Sequence, residues 1–403
     1  MKRDAMKPWL SVIGIGEDGF MGLTASARAL IHAAQVVIGG ARHLEMIPPS
    51  RARRIVWGAL QADLAAIEEM RGERVCVLAS GDPMWFGIGA TLAKRFPREE
   101  MTIISHPGAF SLAAAKLGWP LAEVACLSVH GRPLETVPLH LHPGARLLIL
   151  AEDAATPTKL AALLRDQGFG KSRITVLERL GGAGEKITSN TAAKWRAGKI
   201  DPLTTFAVEV IADSASAVRS RVAGLSEDLF IHDGQITQHE VRAAALAALA
   251  PWPGALLWDI GAGAGSVAIE WMRAGGHAIA IEREAKRRDF IARNAIHLGV
   301  PQIEIIAGTA PVALKGLAAP DAIFVGGGTS DARILETAWR ALRTGGRLVA
   351  HAVTIEGEAA LTLFHVKHGG ALTRLSIARL AGVGRFHRWH PQAPVTQYAV
   401  VKS

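Results

Sequence analysis

Two glycine clusters hold the residues whose types and spacing suggest chemistry. "VIGIGEDGF", Val12 to Phe20, sets Gly14, Gly16 and Gly19 as G-x-G-x-x-G after an apolar run. "DIGAGAG", Asp259 to Gly265, sets Gly261, Gly263 and Gly265 as G-x-G-x-G in the other half of the chain. A loop that cradles a dinucleotide needs a helix starting at once, so that free N–H groups meet the pyrophosphate. It also needs an acidic residue about 20 positions on for the ribose. The first cluster has neither: "FMGLT" follows Gly19, and the next strand-like run ends at Gly39 and Gly40. The second runs strand, loop, helix in "LLWDIGAGAGSVAIEW", and Glu282 closes the following apolar run. Ser266 stands where a dinucleotide loop wants its last glycine, and Asp259 precedes the loop. That arrangement suits S-adenosylmethionine. Glu282 can accept both hydroxyls of a ribose, glycines admit a ligand to the backbone, and the methionine end needs an acceptor for its ammonium and donors for its carboxylate.

Elements must position these loops. In the first half "WLSVIGIG", "QVVIG", "RVCVLAS", "MTIIS", "CLSVH", "ARLLILAE", "RITVLER" and "TTFAVEVIA" read as strands, alternating with helices such as "TASARALIHAA", which Thr24 caps. In the second half "LLWDIG", "HAIAIER", "QIEIIAG", "DAIFVGGG", "GRLVAHAV", "TRLSIAR" and "TQYAVVKS" make seven runs, which suits an open, doubly wound sheet. The small, polar stretch between them predicts an α/β domain over residues 1–214, a linker over 215–224 and a second α/β domain over 225–403. The surroundings of the two glycine loops differ, so the domains are expected to be unlike.

A chain of 403 residues fits two or three domains, and 49% apolar with 20% charged residues is a folded composition. The net charge of +9 comes without a run of five like charges, which suits a small acidic ligand better than nucleic acid. Cys76 and Cys126 cannot build a disulfide framework or a C-x-x-C site. His140 with His142, and His365 with His368, lack a second pair or a carboxylate at ligand spacing, so no metal is expected. The basic start has no signal-peptide pattern and no run of 18 apolar residues occurs, so a cytoplasmic chain without membrane contact is expected.

The second half resembles the decarboxylating precorrin methyltransferases of corrin biosynthesis, through "DGQITQHEVRA", "WDIGAGAGSVAIEW", "AIEREAKR", "GTAP", "FVGGG" and "GGRLVAHAVTIEGE". The first half resembles the tetrapyrrole methylases, through "VIGIGEDG", "ASGDPMWFGIG", "HPGAFSLAAAKLGWP" and "SVHGR". The resemblance implies an N-terminal two-lobed tetrapyrrole methylase (class III) fold and a C-terminal seven-stranded Rossmann-like (class I) methyltransferase fold. It implies one S-adenosylmethionine site per domain and an acidic, reduced tetrapyrrole substrate. Methylation of carbon 5 would fall to the first domain, and methylation of carbon 15 with loss of the ring C acetate carboxyl to the second. A homo-oligomer is implied as well.

On that analogy Gly14 and Gly16 floor a cleft that admits macrocycle and donor, while Gly81, Asp82 and Pro83 line the donor site beside Met84 and Ser111. In the second domain the donor is expected among Asp259, Gly261, Gly263, Gly265, Glu282 and Ala310, with Thr237 closing over it. Thr237 also reads as a helix N-cap, with Glu240 at the capping-box position. His351 and Glu356 follow the fifth strand, where they either act on substrate or face solvent. Arg385, His387 and Trp389, with His390, in "GRFHRWH" either hold propionates and stack on the macrocycle or form a solvated hairpin turn. Arg132 either takes a substrate carboxylate or makes a surface ion pair. The competing readings are an RNA methyltransferase and a non-catalytic tetrapyrrole carrier; a nicotinamide oxidoreductase comes last, because neither loop has all its parts.

Overall fold

The computed structural model describes residues 8–403; the basic start, on which the expectation about a signal peptide rests, lies outside them. The chain forms two compact units. The first comprises residues up to Arg132 together with His142–Ala217, and the second comprises Pro133–Leu141 together with Val218–Ser403. The division falls between Ala217 and Val218, but nothing in the sequence pattern foretells that Pro133–Leu141 goes with the second unit.

The first unit carries two five-stranded sheets. One is built of β1 (Leu10–Ile15), β2 (Val36–Gly39), β3 (Arg53–Val56), β4 (Val75–Ser80) and β5 (Met101–Ile104), in the order β3-β2-β4-β1-β5. Its pairings are all parallel, and β1 and β4 are buried almost throughout, which is why they read as unbroken apolar runs. The other joins β6 (Val124–Ser128), β7 (Arg146–Leu150), β8 (Arg173–Glu178), β9 (Lys186–Thr191) and β10 (Thr204–Glu209) in the order β6-β7-β10-β8-β9. Thr24 caps the helix Ala25–Ala33 as expected, its hydroxyl accepting from the Ala27 N–H at 3.2 Å. Strands β3 and β9 escaped the sequence reading: both lie at sheet edges, and "RRIV" and "KITSNT" are largely exposed.

The second unit carries one seven-stranded sheet, β11 (Leu256–Ile260), β12 (His277–Glu282), β13 (Glu304–Ala307), β14 (Ala322–Val325), β15 (Arg347–Ala352), β16 (Ala371–Leu375) and β19 (Val395–Val401). Its order is β13-β12-β11-β14-β15-β19-β16, with β19 antiparallel to both neighbours and the rest parallel. The chain works outward from β11 in one direction and then restarts at β14 in the other. That switch opens a crevice at the carboxyl ends of β11 and β14, where such sheets bind ligands. Apolar cores cover both faces. One gathers Leu257, Trp271, Ala280 and Phe324, the other Trp258, Ile279, Ile323 and Tyr398. "TRLSIAR" is not a single strand: it spans the end of β16 and the start of β17 (Ala378–Val383). Among the described residues that strand pairs with β18 (Phe386–Pro391) alone, as a separate antiparallel arm. No helix among the described residues is long and apolar enough to cross a membrane.

Candidate active site

In the second unit the crevice is a cavity of about 610 Å³ whose wall includes Asp259, Gly261, Gly263, Glu282, Ala310, Thr237 and His351. Gly261 and Gly263 hold φ of +72° and +58°, a left-handed backbone that glycine takes without strain, and a Cβ on Gly261 would lie 3.1 Å from the Gly327 nitrogen. The loop therefore turns tightly into the helix Ser266–Arg273, whose first two residues, Ser266 and Val267, line the cavity. Glu282 steadies the loop: one carboxylate oxygen accepts from the Gly263 N–H and the other from the Glu284 N–H, each at 2.9 Å. Each oxygen keeps a second lone pair for a ribose hydroxyl.

Asp259 is 1% exposed. Its Oδ2 accepts from the Ala268 N–H at 3.0 Å, while Oδ1 is buried without a partner. Burial pushes its carboxyl up to about 7, the Ala268 hydrogen bond opposing and the neighbouring Glu282 adding to the rise. A buried acceptor left open in a cavity wall is costly unless a ligand satisfies it, and an ammonium group would do so. The donor set thus fits the methionine end, the ribose and the backbone-lined middle of S-adenosylmethionine.

His351, on β15, is buried in the same wall, edge-on to Phe324 with ring centres 4.9 Å apart. Its Nε2 lies 3.0 Å from Gln397 Oε1, an atom that only accepts, so Nε2 carries the proton. Burial lowers its pKa, which the Gln397 hydrogen bond partly offsets, keeping the ring neutral. Gln397, on β19, could not be read from sequence because it meets His351 only through the antiparallel register of these strands.

Four expectations for this unit need correction. Gly265 is not in the cavity wall; it caps the helix, where a Cβ would press within 3.0 Å of the Ile291 side chain. Thr237 is not the N-cap: the helix His239–Leu249 starts one residue later with Gln238 in that place, and the Thr237 carbonyl accepts from Arg242. Glu240 reaches Arg379 of β17 at 2.8 Å rather than closing a capping box. Glu356 is exposed on the first turn of the helix Ile355–His368, outside the cavity. Arg385, His387, Trp389 and His390 lie on the arm's turn and outgoing strand. Only the base of the arm, at Ile377 and Gln392, enters the cavity wall. Arg283 and Arg287 of the wall were passed over, although "EREAKRR" signals them. Glu227, His239 and Glu240 bring ligand atoms within 4.8 Å of one another, but the Arg379 guanidinium already supplies positive charge there.

In the first unit a cavity of about 520 Å³ is lined by Gly16, Gly81, Asp82 and Ser111 of the expected residues. Gly14, Pro83 and Met84 stay out of it. A Cβ on Gly14 would collide with the Gly81 carbonyl, so that glycine lets β1 pass the "GDP" turn. Pro83 is buried under Gly89, and Met84 is exposed, its N–H donating to Asp82 Oδ1 at 2.8 Å. Gly81 has φ of +55° and faces Gly108 so closely that a Cβ would sit 2.6 Å from its Cα. The turn is thus held where backbone meets ligand. Arg132 is outside the wall, with its guanidinium 4.6 Å over the ring of Phe86, which is in it. The wall also takes Glu17, buried between Arg42 and Arg179, the latter at 3.1 Å.

Two unlike α/β units, each with a cavity on a glycine-bent strand end, define a fused pair of methyltransferase domains. Residues 10–195 match the model of the tetrapyrrole (corrin/porphyrin) methylases and residues 228–402 that of the precorrin methyltransferase domain. The chain is 50% identical to a precorrin-6Y C(5,15)-methyltransferase [decarboxylating] of Sinorhizobium sp, over 98% of this chain and 97% of that one. It is 31% identical to a cobalt-precorrin-7 C(5)-methyltransferase of Salmonella typhimurium, over 44% of this chain and 88% of the relative. It is 34% identical to a probable cobalt-precorrin-6B C(15)-methyltransferase (decarboxylating) of Saccharolobus solfataricus, over 34% of this chain and 72% of the relative. The chain belongs to the family of the decarboxylating precorrin-6Y C(5,15)-methyltransferases, as its motifs led us to expect.

Proposed function

We propose that the chain methylates carbons 5 and 15 of precorrin-6Y from two S-adenosylmethionine molecules, one held in each unit. In the same reading it removes the ring C acetate carboxyl, giving precorrin-8. The first unit takes carbon 5; the second takes carbon 15 and the decarboxylation. The observation that carries this reading is the pair of separate ligand-sized cavities, each on its own glycine-bent strand end. The existence of a named C(5) relative and a named C(15) decarboxylating relative, each matching part of this chain, supports the division.

The bound donor supplies an electrophilic methyl group on a sulfonium. Asp259 takes its ammonium, Glu282 its ribose hydroxyls, and the helix Ser266–Arg273 offers N–H groups to its carboxylate. The nucleophile is an enamine-like bridge carbon of the substrate, so the protein has no attacking group to supply. Its contribution is alignment and exclusion of water, for which positioning can provide about 7–11 kcal/mol. Loss of carbon dioxide then leaves a carbon that needs a proton. His351, neutral with Nε2–H tied to Gln397, presents an unprotonated Nδ1, which takes up a proton from solvent or from the methylated bridge carbon before passing it to the carbon that lost carbon dioxide. In the first unit the Gly81–Asp82 turn, Gly16 and Ser111 hold the second donor. We expect a homo-oligomer, and the arm's Leu380, Phe386 and Trp389, at 59%, 66% and 69% exposure, support it as surface a second copy would cover.

Product mass tests the reading. Incubation with precorrin-6Y and S-adenosylmethionine should add two methyl groups and remove one carboxyl. Asp259→Ala should lose carbon 15 methylation and decarboxylation together; a variant that keeps both would overturn the assignment of the second unit.

A further inference from the structure

The first unit keeps an aromatic pair where folding alone would not place one. Trp85 and Phe86 both line the 520 Å³ cavity, yet they are 54% and 42% exposed. Phe86 also has φ of +56°, a left-handed backbone that a bulky side chain adopts only under strain. The residue therefore pays twice, once in backbone conformation and once in apolar surface left to water, and such costs persist where a site needs them. Both rings stand edge-on to the buried Phe110, with ring centres 6.2 Å and 6.0 Å apart, so one anchored ring supports two exposed ones. Arg132 lies over Phe86 at 4.6 Å, so positive charge stands beside an apolar surface.

We propose that Trp85 and Phe86 form the plate against which the macrocycle lies in the first unit, with Arg132 taking one of its carboxylate arms. This deepens the proposal that the first unit methylates carbon 5, and rests on it. A conjugated macrocycle with acidic arms matches the combination: flat apolar area for the ring system and a guanidinium stacked on one face of Phe86 for an arm. The donor, in contrast, is assigned to the backbone-rich Gly81–Asp82 turn, so plate and donor site should respond to different substitutions.

Phe86→Gly tests this without new backbone strain, because glycine accepts a φ of +56°, and a cooperative melt of the full-length variant shows that it still folds. Its KM for the macrocycle in carbon 5 methylation should rise about tenfold, as should that of Trp85→Ala, while donor affinity in the first unit stays unchanged. Arg132→Gln should raise KM by a smaller factor, which falls away at high salt. Carbon 15 methylation by the same preparations reports that the chain is folded and the substrate competent. An unchanged KM in Phe86→Gly and Trp85→Ala overturns the plate. A loss of donor affinity instead would assign the rings to the donor and overturn it equally. The underlying reading is checked apart by Gly81→Ala: if this variant still methylates carbon 5 while carbon 15 proceeds, the first unit is not the carbon 5 catalyst, whatever the plate does.

Discussion

A carboxyl group with one oxygen unsatisfied inside a protein wall holds its proton unless a cation arrives. For Asp259 the folded value near 7 stands against an ordinary 3.8. Between those two values the unfolded chain has released a proton that the folded chain keeps, so the ligand-free protein loses stability as pH climbs from about 4 toward 7. Below that window the contribution is whole. Asp259→Asn should flatten this part of the stability curve, read as the difference between melting temperatures of wild type and variant at each pH. Donor binding should run the other way: its ammonium needs the ionised carboxylate, so affinity should rise through pH 7 in wild type and not in the variant. At high pH calorimetry should find the variant weaker by about 1.5–3 kcal/mol. Gly261→Ala should destabilise by about 1–2 kcal/mol from its left-handed backbone, with more lost to the contact at Gly327, and denaturant melts would measure it. Asp259 and Glu282 were legible because they sit beside a spaced glycine pattern. Phe86 and Gln397 were not, since what marks them is a backbone angle in one case and a cross-strand neighbour in the other.

Elements hold the second cavity's rim through a buried ion pair. Arg242, on the helix His239–Leu249, donates to Glu270 on the helix Ser266–Arg273 at 2.7 Å, with both side chains almost wholly buried. Arg242 also donates to the Leu225 and Thr237 carbonyls, and Glu270 accepts from the Gly224 and Leu225 N–H groups at 2.7 Å and 3.0 Å. The pair therefore pins both ends of the stretch that leads to Gln235–Thr237 in the cavity wall. Arg242→Met leaves Glu270 charged and short of a partner in the interior, and should cost about 3–5 kcal/mol in chemical unfolding. Donor affinity should fall with it, because the wall it anchors loosens. At this scale the legible elements were the buried ones. The strands of the parallel sheet cores announce themselves by continuous apolar sequence, whereas β3, β9 and the β17–β18 arm are exposed and carry no such mark. "TRLSIAR" misled for the same reason, since its apolar residues belong to two strands and the break between them is a matter of pairing partners.

For the whole molecule, the reading predicts two donor molecules bound per chain. Titration calorimetry should give that stoichiometry for wild type and a single remaining site for Asp259→Ala, with the first unit's affinity intact. The order of two unlike domains was legible because each has its own motif set; the path of the chain was not. Pro133–Leu141 is counted with the second unit although the residues on both sides of it belong to the first. Leu139 packs on the second unit's core, close enough that a Cβ on Gly299 would lie 3.0 Å from its Cγ. The polypeptide thus passes from one unit to the other three times, after Arg132, after Leu141 and after Ala217. In terms of gene fission, a cut before Val218 would part the second unit from nine residues grouped with it, Pro133–Leu141. A product that begins at Val218 would lack Leu139 beside Gly299, leaving a gap in the core for a separately encoded second half to fill or to do without.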